Sequence, residues 1–239
     1  MKYTIERPSA QRIETQADIV FCLDATASMQ PCIEGVKKGL NLFAEGLQTA
    51  ATVDYRLRLI AYRDLHDPTC TVDWDVFDFT DNLEEFRSWL NQIRAECNQE
   101  YRGAESALDA LYMALHSRWR PLKTHKTIVL LTDDDTHPTL HPKTYAPNAQ
   151  AVLDNNIERI IQDFQGLRHA MLFIVAPKYP LYSQLGKAMT DATRKVIAHW
   201  VPMDDSRYEG LNGVNWEPLM SMLGQVVSAT SLVVSQDEE

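Results

Sequence analysis

The stretch ADIVFCLDATASMQPCIEGVKKGLNLF, residues 17 to 43, predicts the fold of this chain. It opens with an apolar, β-branched run over 19 to 23, which is too short for most helices and therefore predicts a fully buried central strand. Apolar residues then recur at helical spacing from Ile33 to Phe43. The strand thus leads through a tight loop into an amphipathic helix, as in an α/β fold with a parallel sheet.

The loop between this strand and helix carries three oxygen-bearing side chains at alternate positions, Asp24, Thr26 and Ser28. Open α/β sheets bind their ligands at the carboxyl ends of parallel strands, so these side chains are candidate ligands. A carboxylate with two hydroxyls suits a hard divalent cation such as Mg²⁺, which prefers oxygen ligands. Helix capping is the alternative role for the two hydroxyls, but capping does not require Asp24.

Asp24-Ala-Thr26-Ala-Ser28 resembles the D-x-[ST]-x-S signature of the von Willebrand factor A family, where the signature forms a metal-ion-dependent adhesion site. Two further segments follow in the family's order, and the resemblance covers about residues 17 to 230. It implies a doubly wound, Rossmann-like α/β fold with a six-stranded, mostly parallel sheet and helices on both faces. One antiparallel edge strand, over 74 to 79, is expected to pair with the strand over 54 to 62.

The resemblance also identifies a third metal loop. A second buried strand over 127 to 132 ends at Asp133, which matches the aspartate of that loop. Asp134 and Asp135 follow it, and for these two acids we predict a solvated turn.

The second metal loop is ambiguous. Many relatives have a Gly-Gly-Thr sequence there, whose threonine contacts the ion, and this chain has no such triplet. Counting back from the Ala-Leu pair at 110 and 111 puts Glu105 in the threonine's place, with Ser106 beside it. Counting back from the pair at 107 and 108 puts Arg102 there, a cation that would oppose an ion. We follow the first count because it leaves the site an oxygen ligand.

Two imidazoles, His137 and His141, follow the third loop at a spacing of four, and each precedes a proline. The prolines disrupt helical presentation, and no acid-bearing helix supports a zinc hydrolase. This pattern predicts a rigid loop over the site and disfavours metal ligation by either histidine.

The remaining elements follow from apolar periodicity. We predict a helix over 81 to 93 with Asp81 as its N-cap, and a closing helix over 216 to 229 that Gly224 interrupts. The other predicted elements are a helix from about 102 to 115, a helix over 151 to 164, and strands over 170 to 176 and 195 to 201.

A chain of 239 residues with 45% hydrophobic content can bury one substantial core. It has no Pro/Gly/Ser-rich linker and no internal repeat, which indicates a single domain. We therefore predict a polar amino-terminal arm over 1 to 16, a von Willebrand factor A domain over 17 to 232, and an acidic tail over 233 to 239.

Charge and cysteine content limit which partners and which cellular compartment are expected. The net charge of -10 disfavours nucleic acid and anionic membrane surfaces. Because no apolar stretch has the length of a signal peptide core or a membrane span, we expect a cytoplasmic protein. Its four cysteines form no C-x-x-C pair and Cys22 lies in the first strand, so reduced thiols are favoured over disulfides or a zinc site.

The resemblance implies a protein-interaction module or adaptor. Mg²⁺ or Mn²⁺ would be held by the oxygen-bearing side chains named above, and a Glu or Asp of a partner protein would take the remaining coordination position. The chain looks like the stand-alone cytosolic bacterial members that occur alongside kinases, phosphatases or ATPases, one of which could be encoded nearby as the partner. The expected metal ligands are Asp24, Thr26, Ser28, Glu105 and Asp133.

Two other functions stay open. The first is a metal-dependent hydrolase or phosphoryl-transfer enzyme in which Asp24, Glu105 and Asp133 hold an ion that activates water. The sequence lacks G-x-x-x-x-G-K-[ST], H-E-x-x-H and G-x-S-x-G, which disfavours the commonest enzymes of these kinds. The second is a structural relative that no longer binds metal, which Arg102 at the ion would favour.

Overall fold

The computed structural model describes residues 14–97, 104–121, 123–145, 156–203 and 211–236. Within these ranges, six strands form one sheet: β1 (Glu14–Asp24), β2 (Thr52–Tyr62), β3 (Trp74–Val76), β4 (Thr124–Leu131), β5 (Ala170–Pro177) and β6 (Val196–Met203). Their order is β3-β2-β1-β4-β5-β6. All neighbouring pairs are parallel except β2 and β3, which are antiparallel. The predicted mostly parallel sheet with one antiparallel edge strand is confirmed.

Helices cover both faces of this sheet. In the described residues they are α1 (Gln30–Leu47), α2 (Leu83–Gln92), α3 (Ala107–Leu115), α4 (Pro142–Tyr145), α5 (Asn156–Gly166), α6 (Pro180–Ala188) and α7 (Trp216–Gln236). Helices α1, α2 and α7 bury apolar side chains on one face, and α3, α5 and α6 on the other. The fold is therefore the doubly wound α/β fold expected from the sequence.

The position of β1 in the middle of the sheet explains why the apolar run over 19 to 23 is continuous. Ile19, Phe21 and Leu23 belong to the core beneath α1 and α7, while Val20 and Cys22 belong to the core beneath α3. Because successive side chains point to opposite faces, a strand buried on both faces needs apolar residues at every position.

The ends of the domain differ from the predicted boundaries. β1 begins at Glu14, and residues 1–13 of the predicted arm lie outside the described residues. α7 continues to Gln236, so the predicted tail from 233 begins inside a helix, and 237–239 lie outside the described residues.

Two helix predictions need correction. Asn82, not Asp81, is the N-cap of α2, and its side chain accepts the N–H groups of Glu84 and Glu85. Helix α6, whose first residue is Pro180, was not predicted. A proline suits the first turn of a helix because the N–H it lacks would have no partner there.

Gly224 does not interrupt α7, contrary to expectation. A Cβ at this position would lie 2.2 Å from the carbonyl oxygen of Phe43, and one at Gly46 would lie 2.6 Å from that of Ser221. The two glycines therefore let α1 and α7 approach backbone to backbone, and α7 remains continuous through the contact.

The prediction of four reduced thiols is wrong. Cys70 and Cys97 form a disulfide with their Cα atoms 5.2 Å apart, whereas Cys22 and Cys32 are free and buried. The sequence pattern does not indicate this pair, because the two cysteines are 27 residues apart and the loop after β2 meets the segment after α2 only in the folded chain.

In the part of the chain that the structure describes, we find no helix with both the length and the apolar character needed to cross a bilayer.

Candidate metal centre

The first predicted loop closes around Asp24, the last residue of β1, which is fully buried. The backbone N–H of Thr26 donates to Asp24 Oδ1 at 2.8 Å, and the Thr26 hydroxyl donates to the same oxygen at 2.7 Å. Neither Thr26 nor Ser28 makes a side-chain bond that caps a helix. The capping alternative is therefore wrong, since both hydroxyls point to acids of the predicted site.

The third loop meets the first directly. Asp133 is fully buried, and its Oδ1 accepts a hydrogen bond from the Ser28 hydroxyl at 3.2 Å. The Thr132 hydroxyl donates to Asp24 Oδ2 at 3.1 Å. Thr132 was predicted only as the end of a strand, although its position beside Asp133, on a strand next to β1, is the signal for this contact. Five polar side chains thus converge at the carboxyl edge of the sheet: Asp24, Thr26, Ser28, Thr132 and Asp133.

The second loop joins them through backbone pairing. The Glu105 N–H donates to the carbonyl of Asp135 at 2.8 Å, and the His137 N–H donates to the carbonyl of Glu105 at 2.9 Å. Thr136, which no sequence pattern indicated, accepts the N–H of Leu108 through its hydroxyl and so holds the start of α3. These bonds fix Glu105 just before the helix, next to the third loop.

The candidates for the threonine position of the second metal loop have different surroundings in the structure. Glu105 lies one residue before Ser106, the N-cap of α3, so it is outside the first turn of that helix. Ser106 Oγ accepts the N–H of Leu65 at 2.9 Å and so binds the loop after β2. Arg102 lies outside the described residues. Of the two described candidates, Glu105 is the one whose side chain joins the acids.

Asp24, Glu105 and Asp133 each bring one carboxylate oxygen within 4.8 Å of the others. Glu105 is only 2% exposed, and its Oε2 atom is buried without a hydrogen-bond partner. Among the described residues, no lysine or arginine forms a salt bridge with Asp24 or Glu105. Two ionised carboxylates at this separation repel by about 3.5 kcal/mol at an effective dielectric constant of about 20. Burial, followed by the charge of Asp24, raises the pKa of Glu105 well above its usual value.

These features fit a divalent cation held by hard oxygen ligands. A cation would offset the repulsion of the buried carboxylates, and the unpartnered Oε2 of Glu105 is free to ligate. The Thr26 and Ser28 hydroxyls, already within hydrogen-bond reach of Asp24 and Asp133, supply neutral oxygens of the same class.

Asp134 does not lie in a solvated turn, which corrects the prediction for this residue. It is 3% exposed, and its Oδ1 accepts the hydroxyl of Tyr179 at 2.8 Å. The hydroxyl of Tyr182 donates to its carbonyl at 2.8 Å. Burial is the main cause that raises the pKa of Asp134. Two tyrosines from the α6 region therefore anchor the loop that carries Asp133.

The disulfide lies against the first loop. The carbonyl of Cys97 accepts the N–H of Ala27 at 3.2 Å, and the N–H of Glu96 donates to the carbonyl of Ala25 at 3.0 Å. The cross-link to Cys70 therefore holds a backbone segment that is bonded to the loop of Asp24, Thr26 and Ser28.

Comparison with known proteins agrees with this fold. A family model described as "von Willebrand factor type A domain" matches residues 18–171. The alpha-protein kinase vwkA of Dictyostelium discoideum is 26% identical over 131 residues, which are 54% of this chain and 20% of the kinase. The aligned part thus spans about a fifth of that kinase's length.

Two solved structures share the architecture. The VWA domain of SpRpn10 has a TM-score of 0.53 and 12% identity, covering 84% of this chain and 96% of its own. Proximal thread matrix protein 1 from the mussel byssus has a TM-score of 0.52 and 10% identity, covering 92% of this chain and 50% of its own. At these identities the likeness concerns the fold alone.

Proposed function

The chain belongs to the von Willebrand factor type A family, and on this basis we propose that it is a metal-dependent protein-interaction module. The proposed ligands are Asp24, Thr26, Ser28, Glu105 and Asp133, and the proposed ion is Mg²⁺ or Mn²⁺. The partner would present a Glu or Asp side chain to the site. One observation carries the proposal: three buried carboxyl groups meet within 4.8 Å at the carboxyl edge of the sheet.

The chain's own residues prepare this site for a cation. Thr26 and Thr132 donate to the two oxygens of Asp24, and Ser28 donates to Asp133, so the carboxylates are oriented by hydroxyls. When bound, the ion would supply a positive charge that attracts a carboxylate in a partly desolvated site. Ser28 is the most exposed of the proposed ligands, so a partner's side chain would enter past it.

The partner is proposed from chemistry. An acidic group completes the coordination of a hard cation, which favours a protein surface or peptide with an exposed Glu or Asp. The net charge of -10 argues against nucleic acid as the partner. A kinase, phosphatase or ATPase encoded near this chain is the class we would test first.

A hydrolase or phosphoryl-transfer enzyme is the second candidate, favoured by the raised pKa of Glu105, which suits a proton-transfer group. The sequence argues against it, because it lacks G-x-x-x-x-G-K-[ST], H-E-x-x-H and G-x-S-x-G, the motifs of the commonest enzymes of these kinds. The likeness to a kinase concerns about a fifth of that protein and transfers no activity to this chain.

Calorimetric titration with Mg²⁺ tests the metal site. Asp24→Asn removes one charge while an amide oxygen can still accept the Thr26 hydrogen bonds, so a folding defect is not expected. We expect one Mg²⁺ per wild-type chain and no binding to Asp24→Asn, with Asp78→Asn, whose side chain is 64% exposed, as the control. Absence of wild-type binding at millimolar Mg²⁺ would refute the metal site and leave the fold untouched.

Capture from the native cell tests the partner. The wild-type chain would be immobilised with Mg²⁺, and bound proteins would be compared with those retained by Asp24→Asn and after chelation. A partner that requires both Mg²⁺ and Asp24, and is lost when its own Glu or Asp is replaced by the amide, supports the proposal. A partner retained equally under all conditions would refute metal-dependent capture.

The compartment needs its own test. The cytoplasm expected from the sequence would keep Cys70 and Cys97 reduced, whereas disulfides persist mainly in oxidising compartments. We propose that the pair reports the compartment. Acid quenching of cells, followed by alkylation of the protein in denaturant, would label two cysteines per chain in an oxidising compartment and all four in a reducing one.

A further inference from the structure

Three histidines meet beside the acidic site, although two separate segments of the chain supply them. His66 lies in the connection between β2 and β3, and His137 and His141 lie in the segment after β4. The ring centroids of His66 and His137 are 4.0 Å apart, and those of His66 and His141 are 4.8 Å apart. We call these three residues the histidine cluster. The sequence pattern joins only His137 and His141, and the fold supplies the third imidazole.

A buried carboxylate supports the histidine cluster. Asp64 is fully buried, and its Oδ1 lies 3.0 Å from His137 Nε2 and accepts the His66 backbone N–H at 2.9 Å. A carboxylate can only accept, so His137 donates through Nε2–H and keeps a lone pair on Nδ1 in its neutral form. Metal-binding imidazoles are commonly oriented by such a carboxylate. The second oxygen of Asp64 is buried without a hydrogen-bond partner, so this carboxylate can accept a further hydrogen bond.

The other two imidazoles are also suited to ligation. His66 is exposed, and within the described chain no hydrogen bond engages its ring nitrogens. Neutral imidazoles offer the lone pairs that a metal needs.

We propose that His66, His137 and His141 bind a first-row transition-metal ion of the Zn²⁺ class. Imidazole suits Zn²⁺, Co²⁺, Ni²⁺ and Cu²⁺, whereas carboxylate and hydroxyl oxygens suit Mg²⁺. At a zinc–nitrogen distance of about 2.0–2.1 Å, two imidazoles on a tetrahedral ion have ring centroids about 5 Å apart. The His66–His141 separation of 4.8 Å is close to that value, whereas the His66–His137 separation of 4.0 Å is shorter, so these two rings must move apart to share an ion.

Binding requires small rearrangements that the site permits. Among the described residues, only the three acids already bring their ligand atoms within 4.8 Å of one another, so the imidazoles must turn to converge. His66 is exposed, so its ring can turn toward solvent and away from the two rings it contacts. His141 Nδ1 accepts the N–H of Lys143 at 3.2 Å, and water can replace this long bond because Lys143 is exposed.

An ion in the histidine cluster would tie two loops together at the rim of the acidic site. His137 donates its backbone N–H to the carbonyl of Glu105, so the two sites share a hydrogen-bonded backbone. Three protein ligands leave a fourth position for water or a partner's side chain.

Titration of tag-free protein with Zn²⁺, in the presence of saturating Mg²⁺, tests this proposal, and the visible absorption of bound Co²⁺ reports the coordination. We expect one Zn²⁺ per chain at micromolar concentration or below. His66→Gln, at an exposed position that threatens folding little, should weaken binding at least about tenfold, and the pair His66→Gln with His137→Gln should abolish it. Asp64→Asn, which acts through His137, should weaken binding about 10- to 100-fold.

Two controls separate this site from the proposed function. His116→Gln changes an imidazole that pairs with Asp163 away from the histidine cluster, and Asp24→Asn disables the acidic site, so neither should alter Zn²⁺ affinity. Zn²⁺ binding that disappears in Asp24→Asn but survives in the histidine variants would overturn the proposal, because the acids would then be the ligands. Absence of wild-type binding below millimolar Zn²⁺ would overturn it as well. Neither result affects the Mg²⁺ titration.

Discussion

A carboxylate oxygen of Glu105 lies within 4.8 Å of a carboxylate oxygen of Asp24, at the place where the family signature expects a neutral threonine. The site therefore contains one more ionisable group than that signature implies. With a divalent ion bound, three ionised carboxylates would exceed its charge, which favours retention of the ion over attraction of a further acid.

Glu105→Thr should therefore weaken Mg²⁺ binding by about tenfold or more and strengthen the capture of an acidic peptide, because one negative charge leaves the site. Calorimetry with Mg²⁺, followed by titration of the Mg²⁺-loaded protein with a Glu-containing peptide, measures both effects. Glu158→Thr, at an exposed position on α5, is the matched control. Unchanged Mg²⁺ affinity in Glu105→Thr would show that Glu105 is not a ligand.

Asp109 on α3 should make stability depend on pH. It is fully buried, its Oδ1 accepts the His141 N–H and the Thr144 hydroxyl, and burial raises its pKa to about 6. An unfolded aspartate has a pKa of about 4. Between these two pKa values the folded state therefore binds a proton that the unfolded state has released. The contribution of Asp109 to stability therefore falls as pH rises from about 4 to 6, by up to about 3 kcal/mol.

Asp109→Asn cannot ionise and should escape this loss. Relative to wild type, the variant should gain up to about 3 kcal/mol in unfolding free energy between pH 4 and pH 8, whatever its offset at pH 4. Urea unfolding across this pH range gives the comparison, with the exposed Asp78→Asn as control. A difference between variant and wild type that stays constant with pH would contradict the assignment.

Gly224→Ala should destabilise the domain by about 1–3 kcal/mol, since the new Cβ would meet the Phe43 carbonyl oxygen at 2.2 Å. The higher helix propensity of alanine offsets about 1 kcal/mol of the steric cost. Gly213→Ala places its Cβ in open space and should change stability by less than about 0.5 kcal/mol. Chemical denaturation compares the two, and equal stabilities would refute the close packing of α1 and α7.

Reduction of Cys70 and Cys97 should lower the unfolding free energy by about 3–4 kcal/mol, the chain-entropy value for a loop of this length. It should also weaken Mg²⁺ binding, because the Cys97 carbonyl holds the N–H of Ala27 in the first loop. Unfolded, unreduced protein should show two reactive thiols, and reduced protein four. Four thiols without a reductant would mean that the bridge does not form.

The sequence alone determined the sheet and the position of the site on it. The buried strand before Asp24 and the strand before Asp133 are continuous apolar runs, and such local patterns encode strands whatever the rest of the chain does. Parallel strands present their carboxyl ends at one edge, so the meeting of these two acids followed from topology. The acid of the second loop was identified only by resemblance, with Arg102 as an open alternative.

Only the tertiary structure decided the contacts between distant loops. The Cys70–Cys97 bridge, the contact of Thr132 with Asp24 and the meeting of His66 with His137 join residues that share no local pattern. Gly224 is a helix-weakening residue by propensity, yet it lies where α1 requires the absence of a side chain. Periodicity reports which face of an element is apolar, whereas which side chains touch depends on how strands and loops pack after the sheet has formed.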